Sequence, residues 1–236
     1  MSSYTEMEVR CDRCRAMAPI RLWRIVDVGS DPELKAPLLA GELHSPGCPS
    51  CGAALGFQPL SFVYADPENR LLAWCSCFRG PAPDPRSLLA TADLHSIRLR
   101  AVRAIKTLAE TVRILEDGLD DAVVQIMKGS IQSAMADLPG GAAELTYAGL
   151  RVDGGRRKLA FQCAALPGMD VMPDADAYDE AKAKCAPRIA ALLARDPWLW
   201  IDEGLAARVE AAVGPARQAS PPAGLLERFL RRHPPR

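Results

Sequence analysis

Two cysteine pairs, Cys11-Asp12-Arg13-Cys14 and Cys48-Pro49-Ser50-Cys51, are separated by 33 residues. A C-x-x-C pair turns the chain so that both thiolates aim at one centre. Two such pairs complete a tetrahedral shell of four sulfurs, which zinc accepts readily. Four protein ligands leave no open position for water or substrate, so the ion they hold would be structural rather than catalytic. Gly52 follows the second pair, where a knuckle of this kind favours a left-handed residue. Arg15 stands in the matching place after the first pair and suits it less. Softness and geometry leave iron as an alternative to zinc. We expect one structural Zn2+, because one-iron centres of this type are usually minimal domains without a large appended part.

The other reactive side chains are more scattered. Six of the eight cysteines fall in the first 77 residues, which places any metal-dependent module at the N-terminal end. Met1 to Arg10 is polar and charged, unlike an export signal, so a reducing cytoplasm is expected, where close cysteines bind metal more often than they pair. Cys75 and Cys77 form C-x-C on a predicted strand, where alternate side chains share a face. They are either an additional thiol site, redox-active or ligand-replacing, or two strand cysteines without a common task. Cys163 and Cys185 read as small core residues. His44 lies four residues before Cys48 and could be a spare ligand, but four thiolates already fill the shell. Glu116, Asp117, Asp120 and Asp121 could bind a divalent cation or be helix-end chemistry, in which Asp120 and Asp121 suit a helix N-terminus, where the dipole favours negative charge. Asp170, Asp174, Asp176, Asp179 and Glu180 read as helix-end chemistry, without the glycine and distal glutamate of a calcium loop. No nucleophile elbow, phosphate loop or H-E-x-x-H motif occurs, so no enzyme is expected.

The elements that must position the cysteines are set by periodicity. Thr5 to Arg10 predicts a strand ending at Cys11, and Ile20 to Val28 its return. Ser30-Asp31-Pro32-Glu33 predicts a helix start with Asp31 or Ser30 as N-cap, and Gly41 its stop. Phe57–Tyr64 and Leu71–Phe78 predict strands joined by a turn over residues 65–69. Trp23 and Trp74 are expected in the thin core of this module. The proline-rich run from Gly80 to Pro85 predicts a domain boundary. Beyond it, Leu94, Ile97, Ala101, Ile105, Leu108, Val112 and Leu115 recur at intervals of three or four and predict one long helix ended by Gly118. Val123, Val124, Met127 and Ile131 mark the inner face of the next. Two alternating runs flank Asp153-Gly154-Gly155, a strong hairpin signal. Asp174 to Ala194 and about Glu203 to Val213 predict further helices. Trp198 and Trp200, around Leu199, form either an exposed patch or a lid over the core.

At 236 residues, 49% hydrophobic and 25% charged, the chain has ordinary globular composition. Basic and acidic residues balance at 29 each, which excludes a wholly basic nucleic-acid binder. Residues 1–80 carry eight basic and nine acidic side chains, so a zinc-ribbon nucleic-acid protein is only a second alternative. No run of apolar residues is long enough to span a bilayer. Residues 214–236 form a proline- and arginine-rich tail of net charge +4. Leu225, Leu226, Phe229 and Leu230 would line one stripe of a short helix there, with Arg228, Arg231 and Arg232 mostly off it. Such a helix is marginal alone in water and suits docking into a partner's groove.

The spacing of Cys11 and Cys14, then Trp23, then Asp31 to Leu43, then Cys48-Pro49-Ser50-Cys51-Gly52, then Tyr64-Ala65-Asp66-Pro67, then Trp74, resembles the bacterial CpXC domain family. The likeness is dense from about residue 8 to residue 78, and Ile114 to Asp121 resembles the downstream segment of longer members. It implies metal binding by Cys11, Cys14, Cys48 and Cys51 and little else, since the family's biochemical role is unassigned. Asp12 stands where the family favours proline, which stiffens the knuckle without supplying a ligand. The C-x-C after Trp74 is particular to this chain. The expected architecture is α+β: a zinc-ribbon-like module over 1–80, a helical domain with a β-hairpin over 87–213, and the tail. The expected function is a non-enzymatic, zinc-stabilised protein that binds another protein. A redox protein built on an iron centre or on Cys75 and Cys77 is the first alternative.

Overall fold

The computed structural model describes residues 1–44, 46–55, 61–78, 82–88, 96–135, 144–164, 168 and 170–212. The tail residues Leu225, Leu226, Arg228, Phe229, Leu230, Arg231 and Arg232 lie outside them. The fold is α+β, and the described residues form two compact units, one within Met1–Asp121 with Arg195–Asp202, the other within Ala122–Ala194 with 203–212.

In the first unit the strands are β1 (Ser3–Arg10), β2 (Met17–Asp27), β3 (Ser61–Asp66), β4 (Leu71–Ser76), β5 (Arg98–Val102) and β9 (Leu199–Trp200), and the described residues align them in that order in one sheet. The β1–β2 and β3–β4 pairs are antiparallel, and β2–β3, β4–β5 and β5–β9 are parallel. Both β5 and β9 come from beyond the proline-rich run yet join the same sheet as β4.

The long helix expected from Leu94 onward is therefore corrected. Arg98–Val102 is a strand, and helix α3 begins only at Ile105 and ends at Glu116. Ile97, Ala101 and Ile105 fit a helical spacing, but Leu99 and Ala101 also alternate with Arg100 and Val102. Between two parallel neighbours, that period of two prevails. Leu99 and Ala101 face a core with Val63, Leu72, Trp74 and Trp198, and Trp200 packs against it. Trp198 is thus a lid over the core: its ring lies 6.4 Å from that of Trp74, and its indole N–H donates to the Pro83 carbonyl at 2.9 Å.

The short helix α1 (Lys35–Leu39) follows a 3-10 turn over Pro32–Leu34 and packs against α3. Asp31 occupies the N-cap but makes no side-chain cap there; its carboxylate instead accepts from the Ser2 N–H at 2.9 Å. α3 also packs on β4 and β5, with Leu108 and Val112 fully buried.

The second unit holds most of helix α4 (Asp121–Met135), the antiparallel strands β6 (Leu145–Asp153), β7 (Arg156–Cys163) and β8 (Asp170–Val171), and helices α5 (Ala175–Leu193) and α6 (Leu205–Ala211). Gly154 and Gly155 turn the β6–β7 hairpin with φ of 58° and 76°, the conformation a two-residue turn of this kind requires. Tyr147 and Phe161 meet edge to face across it at 5.8 Å. Cys163 and Cys185 are buried, as are Val123, Val124, Met127 and Ile131.

Candidate metal centre

The first cysteine pair is the loop of the β1–β2 hairpin. Cys11 N–H donates to the Ala16 carbonyl at 2.9 Å, and Arg15 N–H donates back to the Cys11 carbonyl at 2.8 Å. The second pair repeats this pattern: Cys48 N–H to Ala53 at 2.7 Å, and Gly52 N–H to Cys48 at 2.8 Å. A bridge between Gly47 and Ala54 closes that loop. Two loops of one design thus face each other. Arg15 takes φ 64° and Gly52 φ 71°, so both pairs are followed by a left-handed residue, as their spacing demands.

The four thiols converge. Cys11 Sγ lies 3.7 Å from Cys51 Sγ, Cys14 Sγ lies 3.7 Å from Cys48 Sγ, and all four sulfurs are within 4.8 Å of one another. A tetrahedron with zinc–sulfur bonds of about 2.3 Å has edges of about 3.8 Å, so the shell fits one such ion. All four cysteines are free of disulfides. Cys11 and Cys48 are buried beside Ala18, Ile20 and Leu55, whereas Cys14 is exposed.

The electrostatics are those of a shell built for a cation. The backbone N–H of Cys14 chiefly, with that of Arg13, holds the Cys11 thiol down at about 7 against the effect of burial. The Ser50 N–H does the same for Cys48, which is also lowered. Cys51 receives a backbone hydrogen bond from Ala53, but burial and the neighbouring thiols Cys14, Cys11 and Cys48 push it up to about 12. Without a cation the sulfurs cannot all ionise together; a divalent ion replaces the shared protons.

The other candidates lie elsewhere. Among the described residues, these four cysteines are the group of three or more metal-ligating side chains close enough to share an ion. His44 is not in it: it is buried against Phe62, 4.9 Å between ring centroids, with neither ring nitrogen hydrogen-bonded, and burial lowers it to about 4. Cys75 is buried in β4, and burial, reinforced by Cys77, pushes its thiol up to about 12. Cys77 lies past the strand end, exposed. Trp23, expected in the core, stands half-buried on the outer face of the hairpin, edge-to-face with Tyr4 at 5.0 Å. The pairing places Ile20 and Ala18 on the inner face and Arg21 and Trp23 on the outer one.

Sequence reasoning missed the polar supports. Asp66, fully buried, accepts from the Tyr64 hydroxyl at 3.1 Å, from the Asn69 side-chain and backbone N–H groups at 2.9 and 3.2 Å, and from Lys35 at 3.1 Å. Lys35 also reaches Glu116 at 2.8 Å. Arg100 meets Asp121 through three hydrogen bonds of 2.9–3.0 Å, both groups buried. Tyr64 and Asp66 were visible as a motif; Arg100 was hidden by the helical spacing around it.

A family model described as CpXC protein matches residues 9–128, about half of the chain. No curated protein and no solved structure matches.

Proposed function

The chain belongs to the CpXC protein family, and from that premise we propose that its N-terminal part is a zinc-stabilised platform that binds another protein. The observation that carries this reading is the convergence of four thiols from two like-built loops at tetrahedral spacing. Cys11, Cys14, Cys48 and Cys51 would hold the ion, and Zn2+ suits them as one structural centre with no open coordination position. When bound, the ion would fix the β1–β2 hairpin to the Cys48–Cys51 loop. Among the described residues the apolar side chains buried around the thiols are Ala18, Ile20 and Leu55, with Val9 and Ala53 against them, and a core this small is marginal on its own. The thiols would stay free in a reducing, cytoplasmic compartment. The buried Cys75, held protonated at neutral pH by its raised thiol, gives no support to a thiol-exchange role.

Elemental analysis of untagged protein purified without chelator tests this. About one zinc per chain supports it. Iron in that amount would move the centre to electron transfer, and an apo protein with every thiol titratable would remove the metal reading. Among the described residues no helix is long and apolar enough to cross a membrane.

A further inference from the structure

Among the described residues strand β1 is the edge of the sheet. It pairs with β2 on one side, and no described strand pairs with the other. It runs for eight residues, Ser3–Arg10, and is exposed along nearly its whole length, including Tyr4 at 42% and Met7 at 37%. A long open edge offers a row of unpaired N–H and C=O groups to any extended chain. What it accepts depends on its side chains.

Tyr4, Glu6, Glu8 and Arg10 alternate on one face, opposite Trp23, Arg21, Pro19 and Met17 of β2. Glu6 has only a loose, exposed pairing with Arg21 at 3.8 Å, of little energetic consequence. Glu8 faces Pro19 and has no ion-pair partner among the described residues. These carboxylates guard the edge against a second copy. A two-fold antiparallel pairing centred on Glu6 sets Glu6 against Glu6, and one centred on Met7 sets Glu6 against Glu8. Like charges directly opposite are destabilising. A strand with basic residues opposite Glu6 and Glu8 meets these two carboxylates favourably, with a neutral or acidic residue opposite Arg10 on the same face.

We infer that the β1 edge is a docking site for an extended peptide segment carrying lysine or arginine at alternate positions, added to the sheet as a further strand. Backbone hydrogen bonds supply the affinity, and Glu6 and Glu8 select the basic residues that lie opposite them. The inference rests on the platform reading above, because the Cys11–Cys14 loop that joins β1 to β2 is half of the metal centre.

The test uses the full chain with its metal content measured first. A fluorescein-labelled peptide alternating lysine with threonine and valine is titrated by anisotropy, beside one of identical composition with the lysines clustered at one end. The alternating peptide should bind at least about tenfold tighter. Glu6→Lys with Glu8→Lys should abolish that preference and favour a glutamate-alternating peptide. The milder Glu6→Gln with Glu8→Gln should weaken binding while keeping the wild-type metal content. Equal binding of the alternating and clustered peptides, or unchanged affinity in either double variant, overturns the inference. Zinc-loaded protein with no peptide preference removes this inference alone, whereas protein without metal removes the platform reading beneath it.

Discussion

The two ends of the first unit hold together by different means. Around the thiols the buried apolar set is Ala18, Ile20 and Leu55, with the sulfurs of Cys11 and Cys48. Around β4 and β5 it is Val63, Leu72, Trp74, Leu99, Ala101 and Trp198, with a buried Arg100–Asp121 pair on the opposite face. Large aromatic side chains supply most of the burial in a core of the second kind. Among the described residues the first kind has none, and Trp23 lies on the outer face of the hairpin. A metal held by the four thiols would take the place of a core there, so one end should depend on an ion and the other on packing.

The largest expected effect separates them. Structural zinc contributes on the order of 10 kcal/mol to small metal-folded modules. Stripping the ion with a chelator, or replacing Cys48 with Ser, should therefore collapse amide-exchange protection over β1, the start of β2 and residues 46–55. Protection in β4 and β5 should persist. Uniform loss across both regions would show that the two ends are one cooperative structure.

The reverse experiment acts on the sheet. Arg100→Met leaves Asp121 buried without its partner, which costs roughly 3–5 kcal/mol. Urea unfolding should report it, with the metal content unchanged. Adding Asp121→Leu should recover most of the loss, because replacing both partners removes the stranded charge. A double variant as unstable as the single one would assign the pair's role to helix capping at Asp121.

These contrasts explain what the sequence made legible. The metal shell was readable because C-x-x-C fixes its own local geometry: each loop closes on backbone bonds within six residues, from Cys11 to Ala16 and from Cys48 to Ala53. The β6–β7 hairpin was readable for the same reason, through Gly154 and Gly155. The sheet centre was not. Leu99 and Ala101 are strand residues only because β4 and β9 lie on either side of β5, and β9 arrives about a hundred residues later. The outward Trp23 likewise follows from register, which no single strand carries.

His44 gives a smaller effect on the packed side. Burial lowers it to about 4 from an ordinary value near 6.5. The unfolded chain therefore takes up the proton first as pH falls. The neutral ring's contribution is fully present above about pH 6.5 and is lost as pH falls toward about 4. That loss amounts to about 2 kcal/mol by about pH 5. Release of a bound metal at low pH would act in the same range, so the measurement is the difference between wild type and His44→Leu, in which only the histidine contribution is absent. The leucine variant should gain on wild type as pH drops through this window. A constant difference from pH 7 to about pH 5 would mean that His44 is protonated in the folded protein.

The smallest effect compares the two loops. Both need a left-handed residue after the second cysteine; one has Gly52, the other Arg15. A residue with a side chain is strained at such a φ, whereas glycine adopts it freely but gives up more freedom on folding. Arg15→Gly should thus stabilise the metal-loaded protein by about 0.5 kcal/mol, and Gly52→Ala should destabilise it by about 1 kcal/mol. Nothing lies within 4 Å of a Cβ built on Gly52, so that loss would come from the backbone alone. Zinc competition with a colorimetric chelator reads both changes as opposite shifts in affinity. If Arg15→Gly weakens binding instead, the arginine side chain is helping to hold the first loop, and the two loops, alike in backbone, differ in how they are held.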